Sequence, residues 1–212
     1  MIAITKPLKA QNLAWLWSVV ALDALALLLV AYPTLIGEIT GSGFAWFRAF
    51  VSAAAPVVVL LLSSLLSSDA KALLVFWRFR ETLPGHRAFS VHAVNDSRID
   101  MEALRKNVGE FPKDAREQNT KWYRLYIKVG NEVTVAQAHR HYLLFRDLAA
   151  LSLLLAPIAS MILYYLDVRR AVVLGAFVVF LIQYAATAIA ARNTGVRLVT
   201  NVLALHATKR RV

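Results

Sequence analysis

The chain has 212 residues, a formal net charge of +11 and no cysteine. Hydrophobic residues make up 58% of it and charged residues only 17%, whereas about a quarter of a soluble domain is charged. The missing cysteines exclude disulfide bonds, thiolate zinc sites, iron–sulfur clusters and a cysteine nucleophile. The length allows one membrane domain and one small cytosolic module, but not two independent globular domains.

Four apolar runs dominate the sequence, in two pairs on either side of a polar middle. Each run is about 20 residues long, enough for an α-helix to cross a hydrocarbon layer of roughly 30 Å. The sequence therefore predicts an all-α integral membrane protein with four transmembrane helices in two hairpins, 13–66 and 148–191. The predicted spans are Leu13–Tyr32, Trp46–Leu66, Leu148–Leu166 and Ala171–Ala191.

The distribution of positive charge predicts the topology. The segment between spans two and three holds 14 of the 24 lysines and arginines, and the tails 1–12 and 192–212 are also basic. Because positive residues stay on the cytoplasmic side, we expect both termini and the middle segment to be cytoplasmic. The first run is longer than a signal-peptide core and no cleavage site follows it, so we expect a retained span.

The middle segment, 67–147, is predicted to be a small helical module. Helices are expected over Asp100–Val108, capped by Asp100 and stopped by Gly109, and over Lys113–Val129. A third helix is expected to begin near Glu132 and to run unbroken into span three. The stretch Asp69–Glu81 mixes aromatic and basic residues, which suits a helix at the membrane surface and equally a helix packed on the module.

Asp23 is the most unusual residue within a predicted span. A carboxylate at mid-membrane costs about 2.5–3.5 kcal/mol on insertion scales, so it is expected to face other helices or a water-filled path. Gln183 of span four is a candidate polar partner. The pair would either line a pore or hold helices together by a hydrogen bond.

One face of the helix predicted over Lys113–Val129 is basic. Lys121, Arg124 and Lys128 share it, and Trp122 and Tyr126 lie on the same helix. Lysine and arginine bind phosphate, and aromatic rings stack on bases, so these residues are candidates for a phosphate-bearing ligand or lipid phosphate. A solvated basic face that only sets membrane topology is the alternative.

Nothing in the sequence indicates an enzyme, a metal site or a cofactor. His139 and His141 are two residues apart and would point roughly 200° from each other on a helix, so they cannot chelate one metal. No phosphate-binding glycine loop, nucleophile elbow or zinc-protease pattern is present. We therefore expect no catalytic residues, no bound metal and no cofactor.

Two classes of function remain. The first is an oligomeric, channel-like membrane effector whose cytosolic module senses a ligand or protein partner and controls the bundle. The second is a non-conducting scaffold that recruits a cytosolic partner. A chain of 23.6 kDa has little room for an internal pore, so conduction would need a homo-oligomer, such as a tetramer.

The arrangement of paired spans around the segment Asp69–Asp147 resembles small four-span membrane proteins of bacterial antiphage defence operons. The resemblance covers the whole chain but rests on architecture, because no residue motif is shared. It implies a location in the bacterial inner membrane, a homo-oligomer and a cytosolic partner or nucleotide signal. It transfers no site residues.

Overall fold

The computed structural model describes residues 8–31 and 61–208, and within these ranges the chain is helical with no strand. An all-α fold is thus confirmed for the described part. Residues 61–65 are also helical, and short 3₁₀ and π-helical turns cover Pro84–Arg87 and Ala88–His92. The longer helices are α1 (Leu8–Ala31), α2 (Ser68–Phe76), α3 (Met101–Val108), α4 (Ala115–Val129), α5 (Val133–Tyr165) and α6 (Arg170–Thr208).

Three of these helices are long and apolar enough to cross a membrane, namely α1, α5 and α6. They cover the apolar runs predicted as spans one, three and four, apart from Tyr32, which lies outside the described residues, and Leu166, which follows the end of α5. Span two, Trp46–Leu66, lies largely outside the described residues, because only 61–66 of it are described. The described part of the chain is therefore all-helical and has three candidate spans.

The described residues form two compact units. The first, here called the membrane unit, comprises 8–31, 61–71 and 146–187. Its apolar core includes Ala156 and Ala159 of α5 packed on Phe180 of α6. The second, here called the helical module, comprises 72–145 and 188–208.

The helical module differs from the predicted one at the C-terminus. The segment expected to be a basic tail from residue 192 is helical to Thr208, as the last part of α6. Its side chains form the centre of the module, where Val199, Val202 and Leu203 are fully buried. These side chains are buried because they belong to an apolar stripe at helical spacing, which packs against residues of 88–138. The stripe comprises Leu198, Val199, Val202, Leu203 and Ala207.

Polar side chains also connect the last part of α6 to the rest of the module. Arg98 donates hydrogen bonds to Thr200 and Asn201, while its guanidinium also holds Asp96 at 2.7 Å. The hydrogen bonds from Arg98 hold the pKa of the Asp96 carboxyl well below its usual range. The loop that contains Asp96 and Arg98 is thereby hydrogen-bonded to the C-terminal part of α6, about 100 residues later in the sequence.

The helix ends of the module follow the predicted capping chemistry. The side chain of Asp100 accepts hydrogen bonds from the backbone N–H groups of Glu102 and Ala103, which confirms it as an N-cap. Gly109 ends α3 with a φ of 81°, a conformation that favours glycine. Helix α5 begins at Val133, one residue after the predicted start.

Only the first part of the stretch Asp69–Glu81 is a helix. Helix α2 ends at Phe76 and buries Val75 and Phe76 in the module. Beyond it the chain is irregular, and Trp77 and Phe79 are exposed. The helical part is therefore packed on the module, which was one of the two predicted alternatives. In the remaining part, the aromatic rings are exposed.

Candidate functional site

Helix α4 carries the basic residues that the sequence singles out. It begins because the side chain of Asp114 accepts hydrogen bonds from the backbone N–H groups of Arg116 and Glu117. Gln118 fixes its position: buried at 2% exposure, its side-chain oxygen accepts hydrogen bonds from the backbone N–H groups of Phe89 and Ser90. These hydrogen bonds fix the position of the first turn of α4. Further along the helix, some of its side chains line two separate concave surfaces.

The first surface, here called the basic groove, is a shallow cavity of about 590 Å³. Four cationic side chains and one acidic side chain, Glu117, border it. Arg116, Arg124 and Lys128 are exposed, and among the described residues they form no ion pair. The cavity is lined by Val108, Pro112, Arg116, Glu117, Thr120, Lys121, Arg124, Leu125 and Lys128.

Lys121 differs from the other cations of the groove. Its ammonium donates a hydrogen bond to the backbone oxygen of Glu110 and lies 5.9 Å from the centroid of the Phe89 ring. Burial lowers the pKa of Lys121, and the nearby Glu110 carboxylate partly offsets this effect. Lys121 therefore holds the loop before α4 in place, and Arg124 and Lys128 are the cations presented to solvent.

The second surface, here called the aromatic cavity, lies on another face of α4 and encloses about 190 Å³. Trp122 and Tyr126 both line it, with their rings stacked at 5.7 Å between centroids. The structure therefore divides the predicted set: Lys121, Arg124 and Lys128 border one surface, and the two aromatic residues line another.

His139 has a role that the sequence did not indicate. Its Nδ1 atom is hydrogen-bonded to the Tyr126 hydroxyl at 2.8 Å, and the two rings meet edge to face. Burial raises the pKa of the Tyr126 hydroxyl above its ordinary value. The link joins α4 to α5 beside the aromatic cavity.

In the membrane unit, Asp23 and Gln183 lie in contact. The Gln183 side-chain amide donates a hydrogen bond of 3.1 Å to Oδ2 of Asp23. Asp23 also borders an apolar cavity of about 430 Å³ formed by residues of α1 and α6, among them Leu27 and Phe180. Asp23 thus has the polar partner that the sequence suggested.

A buried charge cluster in the membrane unit was not foreseen. Lys71 and Arg146 both lie 3.0 Å from Oδ1 of Asp147, and the Lys71 ammonium also donates to the backbone oxygen of Ser63. The side chains of Lys71 and Asp147 are only 3% and 2% exposed. The clue in the sequence is that these charged residues stand close to the ends of the apolar runs 46–66 and 148–166.

Comparison with known proteins adds no family to these observations. No protein-family model, no curated protein and no solved structure matches the chain.

Proposed function

We propose that this protein is an oligomeric, channel-like membrane effector whose helical module binds a phosphate-bearing ligand in the basic groove. The observation that carries the proposal is the groove itself, in which the exposed cations Arg116, Arg124 and Lys128 share one cavity. Among the described residues that line the groove, Glu117 is the one that carries a carboxylate. Guanidinium and ammonium groups placed in this way favour phosphate through charge-assisted hydrogen bonds.

The proposed ligand acts by shifting an equilibrium between two states of the bundle. It can do so only if it binds one state more tightly than the other. Helices α5 and α6 each run without a break through residues of both units, so the polypeptide offers a continuous helical connection. A single chain of 23.6 kDa has little room for a pore, so we place conduction on the axis of a homo-oligomer such as a tetramer.

The proposed setting is the bacterial inner membrane, with both termini in the cytoplasm. Three candidate spans support a membrane location, and the basic character of the module supports a cytoplasmic one. A role in antiphage defence, where a nucleotide signal would be the ligand, remains part of the proposal through the architectural resemblance alone.

Binding is tested first, on the whole protein in lipid nanodiscs. Inorganic pyrophosphate, ATP and a short oligonucleotide are titrated by calorimetry, because they represent three classes of phosphate-bearing ligand. Arg124→Glu and Lys128→Glu should each weaken binding about tenfold or more, because one charged hydrogen bond contributes about 1.5–3 kcal/mol. Lys106→Glu is the matched control, since Lys106 is exposed and borders a different cavity. Equal affinity in all three variants would contradict a ligand site in the groove.

Conduction is tested separately by ion flux from liposomes, with and without the probe that binds. We expect flux that depends on the probe and is reduced in Arg124→Glu. Binding without flux would refute the channel and favour the non-conducting scaffold, in which the module recruits a cytosolic partner. A monomeric particle in nanodiscs after gentle extraction would refute the homo-oligomer.

A further inference from the structure

We infer that the irregular segment Trp77–Arg80, together with Arg192, forms a contact site for anionic phospholipid headgroups at the membrane surface. The segment reads Trp-Arg-Phe-Arg and follows directly after α2. The Phe79 side chain is 92% exposed and Trp77 is 53% exposed. Two large aromatic side chains are thus exposed within three residues, and the neighbouring Arg78 and Arg80 are exposed as well. Exposed apolar groups bordered by charged residues are typical of surfaces that contact a membrane or a protein.

The contact with Arg192 indicates how deep this segment lies relative to the membrane surface. No charged residue occurs between Arg170 and Arg192, so the intervening 21 residues of α6 have the length and character of a membrane span. Arg192 is the first charge after that run and is expected at the level of the lipid phosphates. Its guanidinium lies 4.3 Å from the centroid of the Trp77 indole ring, which brings the ring to the same level.

The backbone directs the segment outward. Trp77 and Glu81 both adopt left-handed conformations, with φ of 53° and 49°, although neither is glycine. Such conformations are uncommon for large side chains and persist only where the surrounding structure requires them. They bracket Arg78, Phe79 and Arg80 and separate these residues from the buried Val75 and Phe76 of α2.

The chemistry of the segment fits a phospholipid surface. Tryptophan and phenylalanine partition into the boundary between headgroups and acyl chains, and arginine binds the phosphates of anionic lipids. The site has three arginines, Arg78, Arg80 and Arg192, and Trp77–Arg80 contains no acidic residue, although Glu81 follows it directly. The site therefore takes anionic phospholipid and does not depend on the ligand proposed for the basic groove.

The test exploits the absence of cysteine, because each introduced cysteine is then the sole labelling site. A nitroxide is attached at Phe79→Cys in nanodiscs containing phosphatidylglycerol, and its collisions with oxygen and with a water-soluble nickel chelate are measured by electron paramagnetic resonance. Phe79 is almost wholly exposed, so the replacement removes no core contact. Val178→Cys in the apolar run of α6 and Glu102→Cys on α3 give the lipid and water references.

We expect the label at residue 79 to resemble the lipid reference, with oxygen favoured over nickel. Arg78→Gln together with Arg80→Gln should raise the nickel accessibility several-fold, and nanodiscs of zwitterionic lipid should do the same. A label with the accessibility of the Glu102→Cys reference would overturn the inference. Spin–spin broadening at residue 79 would also overturn it, since it would assign the segment to a contact between two copies of the chain.

Discussion

The Nζ atom of Lys71 lies 3.0 Å from Oδ1 of Asp147, and both side chains are almost completely buried. Arg146 approaches the same carboxylate oxygen at 3.0 Å, so one acid is shared by two cations. Removing one partner of a buried ion pair is far more costly than the pair is stabilising, because the remaining charge stays out of water.

We therefore expect Asp147→Ala to lower the free energy of unfolding by about 3–5 kcal/mol, since it deprives two buried cations of a shared carboxylate. Lys71→Met should cost less, because Arg146 continues to pair with Asp147. Unfolding by SDS titration in mild detergent, followed by circular dichroism, measures both.

Glu110→Ala provides the control for these variants. It removes an ion pair of 3.8 Å with Arg105, in which both side chains are mostly exposed. Exposed pairs contribute about 0–1 kcal/mol, so a small effect is expected. The assignment fails if Asp147→Ala is no more destabilising than this control.

Gly195 of α6 lies where a Cβ atom would be tightly packed against two aromatic rings. A Cβ atom there would lie 3.0 Å from Cζ of Phe76 and 3.1 Å from Cδ2 of Tyr142. Both rings are buried and lie 6.2 Å apart between centroids, so each would have to shift by a few tenths of an ångström against its neighbours to admit a methyl group. Gly195→Ala should destabilise the protein by about 1–3 kcal/mol despite alanine's better helix propensity.

Gly175, on the same helix, is the matched control for that substitution. A Cβ atom there would meet no atom of the described residues within 4 Å. Gly175→Ala should thus be neutral or stabilising by up to about 1 kcal/mol, through helix propensity alone. Thermal denaturation of both variants in the same detergent should show shifts of opposite sign. Equal shifts would mean that packing at Gly195 does not decide the outcome.

His92 should make the module less stable in mild acid. Burial, and secondarily the positive charge of Arg78, lowers the pKa of its imidazole from the ordinary value of 6.5. Below pH 6.5 the unfolded chain therefore takes up a proton that the folded module does not. Stability is expected to fall as the pH decreases from that value and to level off below the lowered folded-state pKa.

Thermal denaturation of the wild type and of His92→Gln at several pH values between neutral and mildly acidic tests this expectation. The glutamine variant cannot titrate, so it should show a smaller loss of stability across this range. Arg78→Gln should also flatten the dependence, because it removes the second cause of the pKa shift. An unchanged pH profile in His92→Gln would refute the assignment.

The sequence predicts well what depends on neighbouring residues. The apolar runs in α1, α5 and α6 are recognisable from length alone, and the N-cap at Asp100 follows from the chemistry of a carboxylate before a helix. Such features need no knowledge of distant parts of the chain.

Most features that depend on distant partners were missed, although the contact between Asp23 and Gln183 was suggested by the sequence. The apolar stripe containing Val199 and Val202 is present in the sequence, but its burial requires residues such as Phe89 and Leu104, about 100 positions earlier. The basic residues nearby made the segment look like a solvated tail. The same limitation concealed the cluster around Asp147, because the partners Lys71 and Asp147 are 76 residues apart.

The hydrogen bond between Gln183 and Asp23 links α6 to α1 within the membrane unit. Asp23→Leu should weaken this association by about 0.6 kcal/mol and by no more than about 1.7 kcal/mol, the average and the maximum found for hydrogen bonds between membrane helices. Asp23→Asn keeps an acceptor oxygen and should preserve most of it. Ser152→Ala is the control, because within the described part of the chain the Ser152 hydroxyl donates to the Leu148 backbone oxygen of its own helix and not to another helix.

SDS titration measures the association, and ion flux from liposomes is recorded on the same preparations. If Asp23 only holds the helices together, Asp23→Asn keeps both its stability and its flux. If the carboxylate lines a conducting path, flux is lost in Asp23→Asn while the stability is unchanged, because an amide cannot ionise. A loss of stability in Asp23→Asn as large as that in Asp23→Leu would contradict both roles, since it would show that an uncharged acceptor cannot replace the carboxyl group.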